Sequence, residues 1–337
     1  MASKLVALVT FSSLTYLAFQ YIVGHANASG LSEKLAAQCG APSAASPYHL
    51  SYTGVPTIDN VLCILVSVFH TSFEPKGVEF LTYFIASATP IVAHTYFEAG
   101  RRSRPFLLSF PLLFVQGFQI FTFGATFSFY WLLFILSGAA DLQPSGRKTI
   151  ITMGHVLAVV FGLAVGIGGI TYAMIERQDP YITALWQVFP LVVSAASYFP
   201  TLVLPSHNSG RRESGYNALR VFYVLSFLGI AYLHTNLLRS KTTEELKAFF
   251  IPSLSVLPSS TPTELQAFDM FQWDMVFGLG ASVLGSLWFG QDSAQVIALL
   301  AWNVVATPLV GPGAAFAATA LWREGNLHDD VKNVKTE

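Results

Sequence analysis

The chain has 337 residues, of which 53% are hydrophobic, 14% aromatic and only 11% charged, whereas soluble domains are about 25% charged. A formal net charge of −1 excludes the basic surface that nucleic-acid binding requires. Two cysteines, Cys39 and Cys63, make no disulfide framework, and Cys63 lies in an apolar run.

A helix needs about 20 apolar residues to cross a hydrocarbon core of roughly 30 Å. In chain order ten segments qualify: Leu5–Val23, Ile58–Phe73, Val78–Phe97, Phe106–Phe123, Thr126–Ala139, Ile150–Ile175, Tyr181–Leu204, Tyr216–Leu238, Phe271–Phe289 and Ala294–Trp322. They are too many and too evenly spread for core helices of a soluble protein, and they lack the short alternating pattern of barrel strands. The expected fold is all-α: a polytopic transmembrane helix bundle of about ten spans, some short or broken, in one domain over residues 1–337. Residues 24–57, 239–267 and the tail 323–337 are expected outside the bilayer core.

Leu5–Val23 reads as an anchor, because no clear small-residue cleavage site accompanies it. Phe106–Ala139 is too long for one crossing and is interrupted at Gly124, which predicts two short helices and a tight turn. Thr243–Phe250 predicts a short amphipathic interfacial helix. Thr307-Pro308 and Gly311-Pro312-Gly313 predict a kink or break in the last segment. With ten spans, Arg101, Arg102 and Arg104, Arg147 and Lys148, and Arg211 and Arg212 fall on one side, the cytosolic one by the excess of positive charge. The basic residues of 239–267 and of the tail fall on the other. This count also places Asn27-Ala28-Ser29 in the cytosol, where the sequon stays unmodified.

Ionisable residues in a membrane protein are functional candidates. Counting spans puts Glu74, Glu79, Glu176, Asp179, Asp269 and Asp274 at one face, and Asp59, Glu98, Asp141 and Asp292 at the other. Solvation accounts for Glu176, Asp179 and Asp269 at loop edges. Glu79 and Asp274 each begin an apolar helix, so each is either a partner of the helix dipole or a working acid. His94, Glu98 and Arg102 follow at intervals of four on one helix face, which reads as an ion-paired helix end or as an alternative acid. Metal-ligand spacings, a Walker loop, a dinucleotide fingerprint and a nucleophile elbow are all missing, so neither a metal nor a nucleotide cofactor is expected.

Aromatic residues crowd both the aspartates (Phe268, Phe271, Trp273, Phe277) and the turn at Gly124 (Phe121, Phe123, Phe127, Phe129, Tyr130, Trp131). Singly, such rings are interface belts or lipid-facing bulk. Together they form a wall that stabilises a cation by roughly 0.5–2 kcal/mol per ring. An acid beside such a wall suits polyene cyclisation, in which a proton opens an epoxide or adds to an alkene and the carbocation migrates as rings close. Burial among rings disfavours the charged form of a carboxyl group, so the acid retains its proton at neutral pH.

The stretch Phe271-Gln272-Trp273-Asp274-Met275-Val276-Phe277-Gly278 and the ending Gly311-Pro312-Gly313-Ala314-Ala315 … Leu321-Trp322-Arg323-Glu324 resemble fungal integral-membrane terpene cyclases of meroterpenoid biosynthesis, of the ascofuranone, ascochlorin and macrophorin type. The resemblance implies metal-independent cyclisation of a farnesylated aromatic or its terminal epoxide by acidic residues, and carries over the acid at Asp274. On the residues themselves, Asp274 is the expected proton donor and Glu79 a second acid or base at the same face. Trp273, Tyr130 and Trp131, with Phe271 and Phe277, are the expected substrate-binding rings, and Glu98 is the alternative acid at the opposite end. The expected partners are a lipophilic prenylated small molecule and membrane lipid, and the expected home is the endoplasmic reticulum membrane. A transporter or lipid-binding membrane protein, or a sterol-type double-bond isomerase, is the rival reading.

Overall fold

A computed structural model describes residues 2–40, 46–101, 104–141, 150–203 and 214–333. Arg102, Arg147, Lys148, Arg211 and Arg212, which carried part of the sidedness argument, lie outside the described residues. The helices in chain order are α1 (Ala2–Ala18), α2 (His25–Ala28), α3 (Leu31–Cys39), α4 (Pro56–His70), α5 (Pro75–Ala99), α6 (Pro111–Phe121), α7 (Phe123–Leu136) and α8 (Met153–Leu163). There follow α9 (Ile170–Arg177), α10 (Pro180–Trp186), α11 (Phe189–Val203), α12 (Tyr216–Ser240), α13 (Thr243–Phe250), α14 (Thr263–Gly285), α15 (Ser293–Val310) and α16 (Pro312–Asn333). Among the described residues there is no strand, only an isolated bridge between Thr152 and Ser214. The expected all-α bundle is therefore present.

The expected count of ten crossings is not. Among the described residues four helical stretches are long and apolar enough to cross a membrane: Ser3–Ala28, Met153–Arg177, Tyr216–Ser240 and Ser293–Val310. The count rises to six if α4 with α5, bent by 109°, and α10 with α11, bent by 70°, are each one span. Hydropathy cannot distinguish a crossing from an apolar helix that enters the bundle and turns back. The pair α6 and α7 is such a case. At about 1.5 Å per residue neither reaches roughly 30 Å, and the hairpin returns to its start, because Arg104 Nη1 donates to the Ala139 carbonyl at 3.0 Å. Its break falls at Thr122, in the positive-φ region at 81°, two residues before the expected Gly124.

The helices give the bundle two distinct ends. Lys4 Nζ reaches the Leu136 carbonyl and Trp288 Nε1 the Ser3 carbonyl, so the start of α1 lies with the ends of α7 and α14. The end of α1 meets the other ends of those helices: Ile22, Ala125 and Trp273 pack in one cluster. Here α3 and α4 form a cap over the bundle. Leu31, Leu35 and Cys39 recur every four residues on one buried face of α3, the spacing that stacks side chains along a helix.

That face explains a second correction. Cys39 is joined to Cys63 of α4 by a disulfide. The segment 24–57 had read as a polar connection because its short apolar stripe is diluted by Gly, Ser and Pro. A third correction follows from α4 lying in the cap rather than crossing. Asn27 and Asp59 move to the same end as Asp274. The Asp59 carboxylate accepts from Thr53 N at 2.7 Å, and Tyr52 meets Tyr181 of α10 edge-on at 5.5 Å.

Two local expectations hold. A capping box between Thr242 and Glu245 starts α13, which satisfies otherwise unpaired N–H groups at both residues. The last apolar segment breaks at Gly311, with φ of 91°, and Pro312 opens α16. Gly313 then lets α16 approach α5 closely: a Cβ there would lie 2.5 Å from the Ser87 carbonyl oxygen. Gly313→Ala is expected to destabilise the detergent-solubilised protein by about 1–3 kcal/mol. Gly229→Ala on α12, whose Cβ meets nothing within 4 Å, should leave the melting temperature unchanged in the same assay.

Candidate active site

Beneath the α3–α4 cap lies a cavity of about 430 Å³, within the 300–1,000 Å³ range of sites for small organic molecules. Its wall is mostly apolar, with Phe69 of α4, Phe84 of α5, Phe118 of α6, Phe123 of α7, Trp186 of α10 and Phe271 of α14 supplying rings. Several of these touch one another, among them Phe69 with Trp186 at 4.8 Å and with Phe271 at 5.1 Å.

Asp274 stands on this wall, about three turns into α14. It is half-buried. The Gly124 N–H donates to Oδ1 at 2.6 Å and the Phe123 N–H to Oδ2 at 3.3 Å. The break at Thr122 creates this arrangement. It starts α7 inside the bundle, where the first N–H groups of a helix have no intrahelical partner, and the carboxyl group across the gap supplies one. The helix N-terminus also carries partial positive charge, so it favours the carboxylate left after a proton departs. Oδ1 is held as an acceptor by the short bond, and Oδ2, with the longer contact, is the oxygen better placed to carry a transferable proton.

The other expected site residues are placed as follows. Phe271 lines the cavity with Asp274. Trp273 and Phe277 are outside that lining: they stack on each other and on Tyr21, and Trp273 Nε1 donates to the Ser253 carbonyl at 3.1 Å. Asp269 holds the same loop, its Oδ1 accepting from Ser253 N at 2.6 Å. Glu79 is at the cavity end but outside the lining, in an ion pair with Lys241 at 2.7 Å. Tyr130 and Trp131 are buried in the body of α7, where Trp131 Nε1 donates to Ser282 at 3.0 Å.

Glu98 lies at the opposite end in a buried ionic cluster. Its Oε1 accepts from Arg101 Nε at 2.8 Å and Arg323 Nη1 at 2.7 Å, while Oε2 meets Arg104. Arg101 also pairs with Glu324, and Arg323 lies 4.5 Å above the Phe289 ring. The cluster joins the end of α5 and the middle of α16 to the Ala139 carbonyl after α7, which Arg323 Nη2 reaches at 3.0 Å. The expected pairing of His94 with Glu98 is absent. His94 stacks on Trp131, with ring centres 5.8 Å apart, and its Nε2 has no hydrogen-bond partner.

The rings of Phe69, Phe84 and Trp186 were not singled out from sequence, because each sits in an unremarkable apolar run and only the fold gathers them. Among the described residues no three His, Cys, Asp or Glu side chains converge as a metal set.

The CtvD domain model matches residues 3–327, and the chain belongs to that family. Comparison with curated proteins and with solved structures returned no match. Family membership points to a cyclase-like enzyme.

Removing Glu98 leaves its guanidinium partners without their shared carboxylate. Glu98→Ala is expected to destabilise the fold by about 3–5 kcal/mol, read as lost folded yield and a lowered melting temperature. A folded variant lacking only turnover would instead support Glu98 as a working acid.

Proposed function

We propose that this member of the CtvD domain family is a membrane-bound terpene cyclase that closes rings on a farnesylated aromatic, or on its terminal epoxide, by proton transfer from Asp274. One observation carries the reading: a carboxyl group held by backbone amides stands on the wall of an apolar, ring-lined cavity of about 430 Å³. A long apolar chain fits such a wall and can be drawn from the lipid phase.

In the proposed reaction the Asp274 proton passes to the epoxide oxygen as the C–O bond at the more substituted carbon breaks. The carbocation is captured by the π electrons of the next alkene, forming a C–C bond and moving the charge along the chain. Loss of a proton to a base, with the Asp274 carboxylate suitably placed, restores the acid and yields an isomer of the substrate. Phe69, Phe84, Phe118, Phe123 and Trp186 are proposed to stabilise the travelling charge, each by roughly 0.5–2 kcal/mol when water is excluded. Glu79 has no part in this scheme, since its carboxylate is engaged with Lys241 away from the cavity.

Microsomes containing the protein are expected to convert a farnesylated phenol epoxide into a cyclised product of unchanged mass. Asp274→Asn should lower the rate by about 10²–10⁴-fold, the usual scale of general acid catalysis, with expression retained because the Asn oxygen still accepts from Gly124 N. Glu79→Gln should turn over at the wild-type rate. Full activity of Asp274→Asn, or uptake of the epoxide without any isomer, overturns the assignment.

A further inference from the structure

We infer that the cavity recognises an oxygenated head group on its occupant through Gln187 and Gln119, a specificity element resting on the reading of this cavity as the substrate site. Both residues line the wall. Gln187 caps α10 at the 70° bend before α11, and the bend carries a polar residue into the bundle, where it is only 2% exposed. Its Nε2 donates to the Thr183 carbonyl at 3.2 Å, and its own carbonyl accepts from Gln116 Nε2 at 3.3 Å. A carbonyl oxygen can only accept, so Thr183 fixes the amide orientation and leaves Oε1 as the spare acceptor. That Oε1 is buried without a partner, and so is Nε2 of Gln119.

Gln119 lies one helical turn beyond Gln116 on α6, near enough for the two to be neighbours on that helix. The spare acceptor and the spare donor therefore belong to one region of the wall. Other polar groups on the wall are already engaged: Thr89 with the Ile85 carbonyl and Ser32 with Asn27. Buried polar atoms without partners are costly, and a cavity occupant can remove the cost. A hydroxyl group both donates and accepts, so a hydroxylated head, phenolic or alicyclic, on an isoprenoid tail matches the pair. The tail then extends along the rings toward Asp274.

The test is competition for a radiolabelled farnesylated phenol, read by scintillation proximity on purified Asp274→Asn protein so that no turnover intervenes. The phenol should bind about tenfold more tightly than its O-methyl ether, which keeps the shape and loses the donor. Adding Gln187→Leu should bring this ratio close to one, and Gln119→Leu is an independent second variant expected to reduce it. Equal affinity for phenol and ether, or a ratio unmoved by both variants, overturns the head-group site. Catalysis is scored separately on the wild-type protein. Turnover with no affinity ratio defeats this inference alone, whereas a ratio without turnover sustains it and defeats the acid mechanism.

A different observation carries a second inference: we infer that the cavity end faces the oxidising side of the membrane. The Cys39–Cys63 disulfide lies in the cap at that end, and disulfides persist in oxidising compartments. Arg101, Arg104 and Arg323 lie at the other end, buried in their cluster with Glu98 and Glu324. Lys34, Lys76 and Lys241 lie at the cavity end, so charge does not separate the two ends and the disulfide carries the assignment. Ser51 is exposed in the cap connection, two residues before Thr53, and Ser51→Asn creates a glycosylation acceptor there. In cells, Ser51→Asn should gain a glycan, and acid-quenched wild type should show no free thiol before reduction. Two free thiols, or a folded Ser51→Asn protein that carries no added glycan, overturns the assignment.

Discussion

A helix that starts inside hydrocarbon must find partners for its first N–H groups, and the site of this protein is arranged around that requirement. In water the amides of Phe123 and Gly124 would bond solvent. Within a bundle the cost of leaving them bare is several kcal/mol each, of the order that confines irregular backbone to protein-lined interiors. Asp274 meets the requirement across the gap between α14 and α7. The Thr122 turn, the closeness of the two helices and the cavity beside them all depend on this contact. Gly124 and Gly278 permit it: a Cβ on Gly124 would lie 2.7 Å from Phe277 Cβ, and one on Gly278 would lie 2.0 Å from the Phe123 ring.

The two ends of the bundle handle charge in opposite ways. At the basic end, Glu98 and Glu324 are surrounded by Arg101, Arg104 and Arg323. Buried ion pairs of this kind contribute little net stability yet are costly to break, so their effect is to fix how α5, α7 and α16 meet. Among the described residues the carboxyl of Asp274, at the cavity end, pairs with no cation and is held by amide dipoles. A group held by dipoles can gain or lose a proton without leaving an ion partner stranded. This difference separates the two buried acids more sharply than burial does.

Much of the architecture was legible in the sequence because it follows from local chemistry. Apolar length gave the helices, Gly311-Pro312-Gly313 the last break, and the pattern of Thr243–Phe250 the short helix α13. The number of crossings was not legible. An apolar run such as Ile58–Phe73 has the same composition whether it spans a bilayer or lies across a cap, and its direction depends on what it packs against. That error moved Asn27 and Asp59 to the wrong end. The disulfide was missed for a related reason, since Cys39 becomes a partner for Cys63 only when α3 folds back onto α4. Within the site, the sequence singled out Asp274 and the turn near Gly124, but it placed the aspartate at the start of its own helix, whereas it stands well inside α14 and meets the start of α7. The rings were legible only in part: Phe271 lines the cavity as expected, whereas Trp273 and Phe277 neighbour the aspartate in sequence but pack against Tyr21 outside the lining.

The position of Asp274 reconciles two roles that would otherwise compete. A residue serving only as a helix cap is adequately replaced by Asn, Ser or Thr, all of which offer an oxygen. A carboxyl group offers two oxygens, and here the shorter bond occupies one of them. The second is left with a longer contact at 3.3 Å beside an apolar cavity of about 430 Å³. Capping therefore accounts for one oxygen at this position and leaves the second for the proposed proton transfer. The apolar wall favours the protonated form before transfer, and the α7 amides favour the carboxylate after it. Placing both influences on one side chain lowers the cost of moving a proton in either direction, which is what the proposed cyclisation, beginning and ending with proton transfer, would need.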